Sequence, residues 1–410
     1  MKILWITNII LPPLCEHLEL HIPVVGGWMY SSLKRLKEST PDSQFTVATV
    51  WQGKDFKKIE VDGIIYYLLP LKGKSMTKYN SHLEPGWQEV KKDFNPDVIH
   101  IHGSEYPHGL AYVRACGAEG VVVSIQGLVS CIARYYTGGI SHKEIKKCLT
   151  FRDILRGGIK DGQKDFVKRG NLERELLRRV SHIIGRTEWD KAHSWAINPN
   201  ATYHHVGETL RDAFYKNKWE YTKCEPHSIF VSQASYPIKG LHNLIEALPL
   251  VLREYPDTKV YVAGPDESSK SWYRITGYGK YLKHLIKKYN LKDKIIFTGI
   301  LSEEGMCKRY LESNLFVCCS AIENSPNSLG EAQMLGMPHL VTFVGGIPEI
   351  VDYNPDVLYR FEETEMLAKK ISKVFFLREE VKPLNFNPEM YDGSQNTDSL
   401  IEAYKQIISV

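Results

Sequence analysis

Two glutamates, Glu323 and Glu331, frame the stretch Glu323-Asn324-Ser325-Pro326-Asn327-Ser328-Leu329-Gly330-Glu331-Ala332. An apolar run at 315–319 precedes it, and Glu331, Ala332, Met334 and Leu335 follow a helical pattern that stops near Gly336 and Pro338. The stretch therefore reads as a turn between a strand and a helix. Such a turn offers unpaired backbone N–H groups, and the helix start adds partial positive charge, so Asn327 and Ser328 suit an anionic phosphate. Glu331, about one turn into the helix, would sit awkwardly beside a phosphate, but its carboxylate can accept both hydroxyls of a ribose. Glu323 is free to meet another hydroxylated group. A second reading makes both glutamates first-turn residues that complement the helix dipole.

A cation for the same chemistry stands at Lys239, just before Gly240 and a helical segment at 240–254 closed by Pro256. A fixed ammonium there can neutralise charge that develops on a leaving diphosphate. His100 and His102 end another apolar run, and alternation puts both on one face of that strand. His102 is the candidate for ligand contact, with packing the reading for His100. No two aspartates lie two residues apart, so no Asp-x-Asp gathers carboxylates for a hard cation, and no metal is expected.

The elements that must position these groups come in two series. Short apolar runs rich in β-branched residues occur at 3–6, 45–50, 98–101, 121–125 and 183–185, and again at 228–232, 259–263, 295–298, 315–319 and 339–343. Each is too short for a helix and reads as a strand buried on both faces of a parallel sheet. Helical segments separate them, and a polar stretch near 216–226 divides the series. Helices are expected at 362–376 and 397–409. Two doubly wound α/β domains follow, 1–210 and 211–394, with the last helix, 395–410, packing back on the first domain. The ligand site is expected in the cleft between them, at the carboxyl ends of the strands.

The length of 410 residues agrees with two domains on a soft prior of ~150 residues each. A hydrophobic content of 43% and charged content of 24% exclude disordered and coiled-coil classes. The formal charge of +4 is too small for general nucleic-acid coating. Eight cysteines include no CxxC pair, which fits a reducing cytoplasm. No run reaches the ~18 apolar residues a membrane span needs, and no signal peptide is legible. Charge is nevertheless concentrated: residues 141–180 hold twelve Lys or Arg against six acids. This run reads as a solvated helical surface, as a contact for anionic lipid at the inner face of a membrane, or as a grip by Arg152 or Arg156 on an acceptor pyrophosphate.

The Glu323 to Glu331 stretch resembles the E-x7-E element of the family 4 glycosyltransferases, retaining enzymes of the GT-B fold. The resemblance extends to Gly336-Met337-Pro338, Gly345-Gly346-Ile347-Pro348-Glu349-Ile350-Val351, Phe297-Thr298-Gly299, Ser235-Tyr236-Pro237-Ile238-Lys239-Gly240-Leu241 and, near the start, Gly26-Gly27. It implies GT-B architecture: two facing doubly wound Rossmann-like domains with an interdomain cleft. It also implies transfer of a sugar from a nucleotide diphosphate sugar, with no further cofactor, to an acceptor hydroxyl, for which a lipid-linked glycan of cell-surface polysaccharide synthesis is expected. Glu323 would then bind the transferred sugar, Glu331 the ribose, Asn327 and Ser328 phosphate, and Lys239 the diphosphate. Gly26 and Gly27 would admit the donor closely, and Thr298 and Leu301 would border the base. The implied mechanism is a front-face displacement in which a donor phosphate oxygen takes the acceptor proton.

Two positions depart from the family. Gln233 stands where an Arg is usual, and Gln126 stands where a His often lies beside the reacting sugar; Gln cannot carry a proton. Arg186 is a candidate replacement for the missing charge, or a salt-bridging residue. Two rivals share the architecture: a nucleotide-sugar epimerase, and a non-catalytic protein that binds nucleotide sugars.

Overall fold

A computed structural model describes residues 1–21, 26–71, 73, 75–377 and 388–409. The β-branched runs become strands of two separate sheets, as their burial on both faces requires. The first holds eight strands: β1 (Lys2–Thr7), β2 (Gln44–Trp51), β3 (Lys57–Val61), β4 (Ile64–Pro70), β5 (Val98–His102), β6 (Val121–Ser124), β7 (His182–Gly185) and β8 (Thr202–His205). Their order is β3-β4-β2-β1-β5-β6-β7-β8, parallel except where β3 runs against β4. Alternate residues feed opposite faces. Leu4, Ile6, Ile99 and Ile101 enter one core; Ile3, Trp5, Val98 and Val122 enter the other.

The second sheet holds β9 (Glu225–Val231), β10 (Lys259–Val262), β11 (Ile295–Phe297), β12 (Ser313–Cys318), β13 (His339–Thr342) and β14 (Leu358–Tyr359), in the order β11-β10-β9-β12-β13-β14 and all parallel. The order reverses between β9 and β12. That reversal is a topological switch point, where loops leaving two neighbouring strands diverge and open a crevice at the carboxyl edge.

The chain divides into two compact units. The first comprises Met1–Cys131, Phe166–Thr209 and Glu389–Val410; the second comprises Ile132–Asp165 and Leu210–Pro388. Where the sequence suggests one boundary near 210, packing groups 132–165 with the second unit. Ile140, Ile145, Cys148 and Ile159 are the cause, because they enter the core built around the helix Leu241–Glu254. The basic run is thus divided between the units rather than lying wholly in the first.

The last helix, Gly393–Ile408, belongs to the first unit and places Leu400, Tyr404 and Ile407 in its core. Trp5 Nε1 donates to the Tyr404 hydroxyl (3.0 Å), and that hydroxyl lies 2.6 Å from His100 Nδ1. On the other side of the ring, His100 Nε2 lies 2.5 Å from Ser124 Oγ, so both ring nitrogens have hydroxyl partners. Burial pushes the His100 imidazole down to about 3, consistent with a neutral ring.

Candidate active site

Lys239 and Glu323 leave neighbouring strands of the second unit and meet at the switch point. After β9 the chain passes through a single 3-10 turn, Pro237–Lys239, to Gly240. Gly240 has φ +70°, and a Cβ there would lie 1.7 Å from the Cys319 carbonyl oxygen. The loop after β12 is pressed against this turn: Ala321 N–H donates to Ile238 O (2.7 Å), and Cys319 Sγ to Lys239 O (3.3 Å). The loop after β13 closes the other side. Thr342 Oγ1 donates to Ser320 O (2.7 Å), Gly346 N–H donates to Glu323 O (3.1 Å), and a Cβ on Gly345 would come within 1.8 Å of the same oxygen. Three loops of one sheet edge thereby fix the backbone of Glu323.

Its side chain is fixed as well. Glu323 Oε1 accepts from Lys239 Nζ (2.5 Å) and from Ser320 Oγ (2.6 Å). Both partners of the ion pair are largely buried. Burial alone would push the Lys239 ammonium down, yet the Glu323 carboxylate beside it holds it above the ordinary lysine range. Lys239 stays charged.

The helix Asn327–Leu335 starts just beyond, behind Pro326, which caps it without a side-chain hydrogen bond. Asn327 and Ser328 are its first two residues, whose N–H groups have no acceptor within an α-helix. Four residues on, Glu331 is buried, and its Oε1 accepts from Arg211 Nε (2.8 Å) and Nη2 (2.5 Å). Burial raises the Glu331 carboxyl to about 7, against the pull of Arg211. Arg211 was not legible as a site residue: a lone arginine 120 positions from its partner carries no motif. Thr298 follows β11, where its N–H donates to Val262 O (3.0 Å), and Leu301 lies half-buried just beyond. Gln233 is exposed.

The remaining candidates belong to the first unit. Gly26 caps the helix Gly27–Ser39 at φ +83°, where a Cβ would meet Ile9 Cδ1 at 2.3 Å; nothing lies within 4 Å of a Cβ on Gly27. His102 ends β5, stacked on His100 at 3.8 Å between ring centroids and 4.1 Å from the Trp5 ring. Neither of its ring nitrogens has a partner, and burial holds it well below the ordinary imidazole range. Gln126, half-buried, follows β6. Arg186 pairs with Glu208 at 3.1 Å, largely buried, and lies over the Trp28 ring; its charge is engaged within the first unit.

Arg152 and Arg156 lie on the helix Phe151–Arg156 of the second unit. Arg152 Nη1 donates to Gly157 O (3.3 Å) and lies 3.6 Å from Asp153 Oδ1, while Arg156 is exposed. Among the described residues, no group of three or more His, Cys, Asp or Glu is placed to hold a metal ion, and no helix is long and apolar enough to cross a membrane.

Residues 213–386 match the family described as glycosyl transferases group 1. Spore coat protein SA of Bacillus subtilis is 28% identical over 148 residues, covering 35% of this chain and 38% of that protein. N-acetyl-alpha-D-glucosaminyl L-malate synthase of Bacillus anthracis is 21% identical over 284 residues, 67% of this chain and 64% of that one. The matched stretch thus spans less than two thirds of either relative. Among solved structures, sucrose-phosphate synthase from Thermosynechococcus elongatus superposes with a TM-score of 0.67 at 14% identity, covering 100% of this chain and 96% of that one. Anabaena HepE in complex with UDP-glucose gives 0.60 at 13% identity, covering 100% and 98%. The chain therefore has the GT-B fold, and its residues 213–386 resemble the group 1 glycosyl transferases.

Proposed function

We propose that this protein is a retaining glycosyltransferase that moves a sugar from a nucleotide diphosphate sugar to an acceptor hydroxyl. The observation that carries the reading is the Lys239–Glu323 ion pair at the switch point of the second sheet, beside the open N-terminus of the helix Asn327–Leu335. Donor diphosphate would draw the Lys239 ammonium from Glu323 and add the N–H groups of Asn327 and Ser328. Glu323, released, would take hydroxyls of the sugar. Glu331, held in place by Arg211, faces the ribose in this reading, with Thr298 and Leu301 near the base.

In the reaction the bond between the anomeric carbon and the diphosphate oxygen breaks while the acceptor oxygen bonds to the same face. A phosphate oxygen of the departing diphosphate takes the acceptor proton, so no protein base is assigned. Lys239 and the helix start stabilise the charge that develops on the leaving group. The reaction is proposed to need neither metal nor cofactor beyond the donor, and its acceptor to be a lipid-linked glycan at a membrane surface.

The test is a screen of nucleotide sugars by thermal shift, followed by donor turnover with and without acceptors, in the presence and absence of EDTA. A donor that raises Tm in the parent and not in Lys239→Ala supports the site, since a ligand stabilises the state that binds it. Acceptor-dependent nucleotide release with retained anomeric configuration supports the transferase. Donor consumption that needs no acceptor and yields an epimer, or unchanged transfer by Glu323→Gln, overturns it.

A further inference from the structure

The helix Phe151–Arg156 is turned inside out. Its buried residue is Asp153, which shares a reciprocal cap with Thr150 and lies against Gly277, where a Cβ would stand 2.6 Å from the carboxylate. Its apolar residues face outward. Phe151, Ile154 and Leu155, spaced i, i+3 and i+4, share one helix face and are 50%, 71% and 67% exposed. The patch extends beyond the helix through Trp272, 73% exposed, whose ring lies 5.7 Å from that of Phe151. Exposed Leu149 and Tyr273 flank it. A contiguous set of large apolar side chains left in water marks an interaction surface rather than incidental exposure.

Charge identifies the occupant. Residues 141–160 and 266–283, the two segments that build the patch, hold ten Lys or Arg against four acids. Of those acids, Asp153 is buried, Asp266 accepts from Ser268 N–H (2.8 Å) and Oγ (2.6 Å), Glu144 pairs with Lys147 (2.7 Å) and Glu267 with Lys270 (2.6 Å). Lys280 ties the two segments together by donating to the carbonyls of Lys147 (3.0 Å) and Leu149 (3.2 Å). An apolar face with Trp and Tyr, rimmed by exposed cations, is the pattern of a surface that lies in the interfacial layer of a bilayer bearing anionic lipid. A second copy of the chain fits worse, because a twofold pairing sets like cations against each other.

We propose that Phe151, Ile154, Leu155 and Trp272 insert into the headgroup layer of an anionic membrane, with the surrounding Lys and Arg contacting lipid phosphates. This rests on the membrane placement proposed above and assigns it to one surface of the second unit.

The experiment sediments the full chain with vesicles of phosphatidylglycerol and phosphatidylcholine, and with phosphatidylcholine alone. The expected result is binding to the anionic vesicles that salt weakens, and that Ile154→Asp with Leu155→Asp reduces roughly tenfold or more. Both positions are exposed, so an unchanged urea midpoint is expected for that variant. A second readout does not depend on it: brominated lipid quenches tryptophan emission of the parent, and Trp272→Phe loses most of that quenching. Equal binding by parent and double variant, no binding to anionic vesicles, or a dimer that the double substitution dissolves while vesicle binding persists would each overturn the proposal. Donor binding is read separately, as a thermal shift with UDP-glucose in the absence of vesicles. A failure of the donor reading leaves the vesicle result standing, and the reverse also holds.

Discussion

The Glu323 carboxylate is held from two strands at once: Lys239, beyond β9, reaches it at 2.5 Å, while Ser320, on its own loop beyond β12, donates at 2.6 Å. Removing either charge leaves its partner poorly solvated, so Lys239→Ala should lower stability by about 1 to 3 kcal/mol and transfer by ~100-fold or more. The double variant Lys239→Met with Glu323→Leu separates the two effects. It should recover most of the stability and none of the activity, as urea denaturation and donor turnover will show. Recovered turnover would remove both residues from the chemistry.

Gly345 and Gly336 both sit at positive φ, yet only Gly345 is crowded: its Cβ would meet Glu323 O at 1.8 Å, whereas nothing lies within 4 Å of one on Gly336. Ala at 336 should cost about 1 kcal/mol, the strain of the left-handed region alone. Ala at 345 should cost roughly 2 kcal/mol more and also lower turnover, because the backbone carrying Glu323 must shift. Equal losses for the two variants in chemical denaturation would contradict the crowding argument.

Arg211 and Glu331 form a buried pair, so Arg211→Met should destabilise the second unit by about 3 kcal/mol. The loss should grow with pH. Burial already lifts the Glu331 carboxyl to about 7, and without the guanidinium it rises further, so ionisation above neutrality opposes folding more strongly. Melting curves at pH 6 and pH 8 measure the difference; a pH-independent loss would show that the carboxyl is not the titrating group.

Glu105 offers a test in the first unit. Burial pushes its carboxyl up to about 7, with Glu173 adding to the shift, while Arg169 and the Gly127 N–H oppose it. A raised folded value means that its contribution to stability is complete below about 4.5 and is lost as pH rises through about 7. Glu105→Gln should therefore flatten this part of the profile and gain stability at pH 8, on the order of 1 kcal/mol. A variant less stable than the parent at pH 8 would assign the ionised carboxylate a structural role instead.

The strands that carry the site were legible because Val, Ile and Phe at 228–232 and 315–319 leave no helical alternative, and the turn chemistry around Glu323 and Lys239 is local. Pairings made by tertiary packing were not. Arg211 carries no signal of its contact with Glu331, and nothing in 132–165 shows that Ile140 and Ile145 enter the second core. The hairpin β3–β4 was missed although its turn, Asp62-Gly63, carries the Asp-Gly signature; both residues have positive φ, at 53° and 68°. The outward face of Phe151, Ile154 and Leu155 also runs against sequence logic, since helical apolar spacing ordinarily points to a core.

The Trp5–Tyr404 hydrogen bond joins residues 399 positions apart, and it sets an order of events during synthesis. The strands of the first unit precede most of the second, yet their sheet lacks the helix Gly393–Ile408 until every segment of the second unit has been translated. The second unit, whose segments are all translated earlier, can close its core first. A chain truncated after residue 388 should thus present a protease-resistant second unit and a first unit that is still open, strands made early waiting for a helix made late.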